Sequence, residues 1–138
     1  MKVSEIMNRN VLSVSLQDRV CDVIDLFLEK NITGAPVIHQ EEVVGIISRR
    51  DILPLVSTFD LDCSSLEQIR RTCSHYVKDH MQSQVITVPP VEAVERCALI
   101  MTDNNINRLP VVDDGKLVGI VTRGDILKAL AQCCICHM

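Results

Sequence analysis

A chain of 138 residues with a net charge of −4 has no excess of cations to hold a phosphate backbone. Its aromatic residues are Phe27, Phe59 and Tyr76, too few to build a platform on which nucleic-acid bases stack. No secretion leader or bilayer-spanning apolar run is read from the sequence, and seven cysteines in an odd, scattered set suit a reducing cytoplasm.

Taken in order, Val11 to Val14 is a short apolar segment, and Ser15-x-x-Asp18 reads as a helix start. Val20, Val23, Ile24, Phe27 and Leu28 then form one apolar stripe at helical spacing, which should end near Asn31. Ala35 to Ile38 and Val43 to Ile47 read as two strands of a hairpin around a polar turn, His39 to Glu42. A helix follows from Arg49, and Pro54 should bend or shorten it because proline removes a donor. Ser64-Ser65-Leu66-Glu67 resembles a capping box, so residues 59–76 read as a connector with a short helix.

Val85 to Val88 reads as a strand, with Pro89-Pro90 leading to the next helix. Val94, Cys97, Ala98 and Met101 repeat the helical stripe, and Cys97 on that face reads as an ordinary buried thiol. Leu109 to Val112 and Leu117 to Val121 are strands joined by the hairpin turn Asp113-Asp114-Gly115-Lys116. A last helix is expected from about Arg123 to Gln132, leaving a Cys-rich tail over 133–138.

These two runs are copies. Shifted by 74 positions, 16 of the 51 residues from Val3 to Leu53 coincide with their partners without a gap. The duplication predicts an α+β protein of two β-α-β-β-α repeats, residues 1–58 and 77–132. Neither repeat alone holds enough apolar surface for a convincing core, so the two are expected to pack sheet to sheet.

The paired marks Ile6-Met7 and His80-Met81, Ala35-Pro36-Val37-Ile38 and Leu109-Pro110-Val111-Val112, and Gly45–Asp51 and Gly119–Asp125 make the chain resemble a tandem pair of cystathionine-β-synthase (CBS) domains. The resemblance covers nearly everything except the connector and the last residues. It implies a non-catalytic regulatory module with two clefts related by pseudo-two-fold symmetry. It also implies adenosine-containing ligands (AMP, ADP, ATP or S-adenosylmethionine), with no resident cofactor, and pairing into a disc-shaped homodimer.

Thr122-x-x-Asp125 and Ser48-x-x-Asp51 are the candidate ligand residues. A carboxylate can accept hydrogen bonds from the neighbouring 2′ and 3′ hydroxyls of a ribose, and the positive end of a helix favours its ionised form. The same pattern is also a plain capping box. Arg108 stands where the resemblance implies a phosphate-contacting base, whereas the matching position in the first repeat is Gly34. Backbone near Ala35-Pro36 and Leu109-Pro110 would flank the adenine faces. Arg49, Arg50, Lys116 and Arg123 are reserve phosphate contacts, more simply read as solvated charge.

Cys133, Cys134, Cys136 and His137 hold soft-metal donor types, but one C-x-x-C without a second ligand pair is a weak metal signal. The four histidines show no nucleophile–base spacing, so no enzyme is expected. The leading expectation is a nucleotide-sensing module read by a partner enzyme or transporter, with neither membrane nor nucleic acid involved. A ligand-free dimerisation module and a metal or thiol sensor working through the tail are the alternatives.

Overall fold

The two β-hairpins are built alike down to their irregularities, because the same residue pattern recurs in each. The computed structural model describes residues 1–57 and 74–136. The expected connector helix at Ser64–Glu67 lies outside the described residues. Strands are β1 (Val14–Ser15), β2 (Gly34–His39), β3 (Glu42–Ser48), β4 (Arg108–Asp113) and β5 (Lys116–Thr122). Helices are α1 (Val20–Lys30), α2 (Arg49–Ser57), α3 (Val94–Asn104) and α4 (Arg123–Cys136). Single 3-10 turns occupy Val3–Glu5 and Val77–Asp79. The chain is α+β, with one sheet ordered β1-β2-β3 and the other β4-β5.

Both hairpins turn through two residues in the left-handed region: Gln40 and Glu41 in the first, Asp114 and Gly115 in the second. That is the conformation two-residue hairpin loops prefer, because its twist matches that of the strands. Each ladder then shifts register at the same place, between Val37 and Ile38 and between Val111 and Val112. α1 and α3 end on Asn31 and Asn105, both left-handed, the conformation asparagine tolerates best among residues with a Cβ.

Four sequence expectations need correction. Ser15–Asp18 is not the helix cap: Ser15 N–H donates to the Asp18 carboxylate at 2.8 Å, closing a turn, and α1 begins at Val20 after an extended Arg19. Leu28 leaves the apolar stripe and is 77% exposed, while Val20, Val23 and Phe27 are buried. Residues 85–88 do not form a strand; Val88 makes a single parallel bridge to Val111, where its counterpart Val14 begins a two-residue ladder with Val37. The next rung would need an N–H from residue 90, and Pro90 has none. Finally, α4 continues past Gln132 to Cys136. Pro54 sits inside α2, which is described from Arg49 to Ser57.

The compact units do not follow the sequence repeats. One unit joins residues 1–11 to 86–138, and the other is 12–85. The lead-in to each repeat therefore folds with the body of the other. In the first unit Val3 N–H donates to Glu92 O at 2.7 Å, Ser4 N–H to Pro90 O, and Val94 N–H to Met1 O. In the second, Val77 N–H donates to Asp18 O at 2.9 Å, Lys78 N–H to Leu16 O, and Val20 N–H to His75 O. All three bonds correspond at the 74-residue spacing.

Each unit has its own core. Val3, Met7, Val94, Cys97, Met101, Leu109, Val111 and Val121 fill one. Val14, Val20, Val23, Phe27, Ala35, Val37, Ile47 and Val77 fill the other. Side-chain volume is redistributed between them: Phe27 goes with Ala35, whereas Met101 goes with Leu109. Such compensating swaps preserve a packed interior.

Candidate functional site

β3 runs directly into α2, and β5 into α4, so a hydroxyl residue closes each strand and an Asp falls on the first helical turn. At the first junction Ser48 N–H and Oγ–H both donate to Asp51 Oδ2, at 2.8 and 3.2 Å. At the second, Thr122 N–H and Oγ1–H donate to Asp125 Oδ2, at 2.9 and 3.0 Å. Asp125 N–H returns a bond to Thr122 Oγ1 at 3.3 Å, completing a capping box. Both helix starts are also tied to the segment before the hairpin, through Arg49 N–H to Thr33 O and Arg123 N–H to Asn107 O. The carboxylates are thus held half-buried in a fixed orientation.

In each case one carboxylate oxygen does the capping. The other differs between the halves. Gln82 Nε2 donates to Asp51 Oδ1 at 2.9 Å. At the 74-residue spacing, the counterpart of Gln82 is Asn8. Its Oδ1 accepts the Asn10 N–H instead, at 3.0 Å. Among the described residues no hydrogen bond reaches Asp125 Oδ1.

Arg108 lies directly across the β4–β5 ladder from Thr122, which places a guanidinium-bearing residue beside the Thr122–Asp125 pair. Gly34 lies across from Ser48 in the same register, so the first half brings no cation there. Ala35, Pro36, Leu109 and Pro110 are fully buried, backbone included, so the expected adenine-flanking backbone is covered by the fold itself. Arg49, Arg50, Lys116 and Arg123 are exposed, as solvated charge would be. Arg123 Nε–H donates to Ile106 O at 3.3 Å.

Gln82 is the participant that sequence reasoning missed. Its alignment with Asn8, one residue after the paired methionines Met81 and Met7, was the available signal.

Away from the junctions, Cys97 is fully buried and its thiol is pushed up to about 11, first by burial and then by Glu92. That is the behaviour of an inert core thiol. His75 Nδ1 and His80 Nε2 lie 3.0 Å apart, a bond that needs one ring to donate and the other to accept. Of the tail donors, Cys133 is exposed and free, and the side chains of Cys134, Cys136 and His137 lie outside the described residues. Among the described residues no cluster of three or more metal-ligating side chains occurs, and no helix is long and apolar enough to cross a membrane.

The CBS domain family matches residues 3–58 and 77–132. The chain is 34% identical to the uncharacterized protein MJ1426 of Methanocaldococcus jannaschii, over 94% of this chain and 91% of that one. Among solved structures, CBSX2 in complex with AMP superimposes with a TM-score of 0.80 at 33% identity, covering 95% of this chain and 97% of that one. The CBS domain pair of MJ0100, in complex with 5′-methylthioadenosine and S-adenosyl-L-methionine, superimposes with a TM-score of 0.79 at 25% identity, covering 94% and 99%. With two matched copies and the same junction built at both, the chain belongs to the CBS domain family as a tandem pair.

Proposed function

We propose that the protein is a regulatory module that binds an adenosine-containing ligand and conveys its occupancy to a partner enzyme or transporter. Arg108, Thr122 and Asp125 form the principal site in this reading, and Ser48 with Asp51 the secondary one. The observation that carries it is the state of the Asp125 carboxylate. Thr122 holds Oδ2 and fixes the group's orientation, and among the described residues no hydrogen bond reaches Oδ1, which can accept from a ligand donor. A ribose supplies two neighbouring hydroxyl donors.

Arg108 favours a phosphate-bearing ligand such as AMP, ADP or ATP, because a guanidinium attracts phosphate oxygens and repels a sulfonium. The AMP complex of the similar CBSX2 supports the ligand class. Binding energy reaches the partner only so far as the ligand prefers one conformation of the module over another. No catalysis is assigned to the chain.

The test is a thermal-unfolding series with AMP, ADP, ATP, NAD and S-adenosylmethionine on wild type and Asp125→Ala. A ligand at a hundredfold its Kd adds about 2.7 kcal/mol to the folded state. The expected result is a raised midpoint with a phosphorylated adenosine, and loss of that increment in the variant. No increment with any of them would shift the reading to a ligand-free dimerisation module.

We also propose that the module works as a homodimer. Leu127 and Leu53, which correspond at the 74-residue spacing, are 64% and 58% exposed on α4 and α2. Apolar side chains left outside both cores suit contact with a second copy. Light scattering should give the mass of a dimer, and Leu127→Glu should lower it to that of one chain.

A further inference from the structure

The two halves of this chain act as controls for each other, and one difference between them falls on the carboxylates. Gln82 and Asn8 have the same backbone setting. Gln82 N–H donates to Ile46 O at 2.8 Å and its carbonyl accepts from Ile46 N–H at 2.9 Å. Asn8 makes the same pair with Ile120, at 2.8 and 3.0 Å. Each residue is therefore anchored at the same point of its strand, and only the side chains differ. Gln is one methylene longer, and its amide reaches Asp51 Oδ1 at 2.9 Å. The shorter Asn8 folds back onto Asn10 N–H.

An amide N–H on a carboxylate oxygen is the same kind of bond a ribose hydroxyl would make there. We infer that Gln82 is an internal competitor for Asp51: its amide fills the place of a ligand hydroxyl, so the Asp125 site is occupied first and the Asp51 site only after that bond is broken. Gln82 thereby sets the order in which the two sites fill. Breaking a hydrogen bond to a charged acceptor weakens ligand binding by roughly tenfold when the donor is solvent-exposed, as Gln82 is. The missing cation at Gly34 weakens phosphate binding in that half independently. The competitor's contribution is therefore measured by changing Gln82 alone. This inference rests on the ligand-binding reading above.

The experiment is calorimetric titration of AMP into four proteins: wild type, Asp125→Ala, Asp125→Ala with Gln82→Asn, and Asn8→Gln. Asn is chosen because it is the residue the other half carries. Both Gln82 and Asn8 have exposed side chains, and circular dichroism with a melting midpoint confirms that each variant is folded. Wild type should show one tighter site, absent from Asp125→Ala, which keeps only the weak Asp51 site. Gln82→Asn in that background should tighten the remaining site by about tenfold. Asn8→Gln should weaken the Asp125 site by a similar factor. Binding by wild type with an unchanged Asp51 affinity in the Gln82→Asn protein overturns the inference and leaves the ligand-binding reading standing. No heat from any of the four proteins overturns that reading, and the inference with it.

Discussion

The Sδ atom of Met7 stands 2.5 Å from the point where a Cβ on Gly119 would lie. Met81 stands in the same relation to Gly45, at 2.6 Å. In each unit a methionine from the lead-in segment fills the space that a glycine leaves open in the middle of a strand. Glycine is costly inside a strand, and close approach by another group is a common reason for it. Here that group is the segment whose backbone pairs with the neighbouring residue, Ile120 in one unit and Ile46 in the other.

Gly119→Ala should therefore destabilise the protein by about 1–3 kcal/mol, the usual penalty of overpacking. Gly45→Ala should cost more. Its new Cβ would meet the backbone carbonyl of Gln82 at 2.9 Å, whereas at Gly119 the equivalent Asn8 carbonyl is 3.2 Å away. A thioether can swing aside, but a carbonyl held in a bridge cannot. Urea unfolding of both variants measures the difference, and equal or negligible losses would show that the lead-in segments are not clamped as described.

The two hairpin turns predict a stabilising change. Glu41 holds φ at 68° where the matching residue, Gly115, holds 77°. A side chain in that conformation costs roughly 1 kcal/mol, and glycine avoids it. Glu41→Gly should raise the unfolding free energy by up to about 1 kcal/mol, less the extra flexibility glycine gives the unfolded chain. A lower stability would mean that the Glu41 side chain contributes more to the turn than the backbone strain takes away.

Cys97 predicts a pH dependence. Its ordinary value of 9.0 is raised to about 11 in the folded protein, chiefly because burial disfavours the thiolate. The folded state holds the proton more tightly than the unfolded chain does, so the stabilisation is present below pH 9 and is lost as pH rises through 11. The loss amounts to roughly 2–3 kcal/mol. Unfolding free energies of wild type and Cys97→Ala, measured from pH 8 to 11, should diverge in slope over that window. Parallel curves would show that the thiol does not titrate differently in the two states.

Much of the architecture was legible in the residues because its causes are local. Val20, Val23 and Phe27 are buried at helical spacing, and α1 stops at Asn31 as its residue type suggests. Both hairpins fall where turn residues separate apolar runs. The strand–helix junctions were legible too, since Ser48–Asp51 and Thr122–Asp125 interact over three residues. Pro90 shows the limit: its lost N–H matters only once Val88 is known to pair with Val111.

By itself, then, the sequence determined the two repeats, their elements and the residue types at each candidate site, because periodicity and capping act within a few positions of the chain. Only the tertiary structure decided that residues 1–11 fold with the second repeat and residues 77–85 with the first. It alone decided that Gln82 reaches Asp51 while Asn8 turns to Asn10 and not to Asp125. Those relations join residues 31 or more positions apart. They depend on which backbone lies beside which, and on one methylene of reach, and no local pattern encodes either.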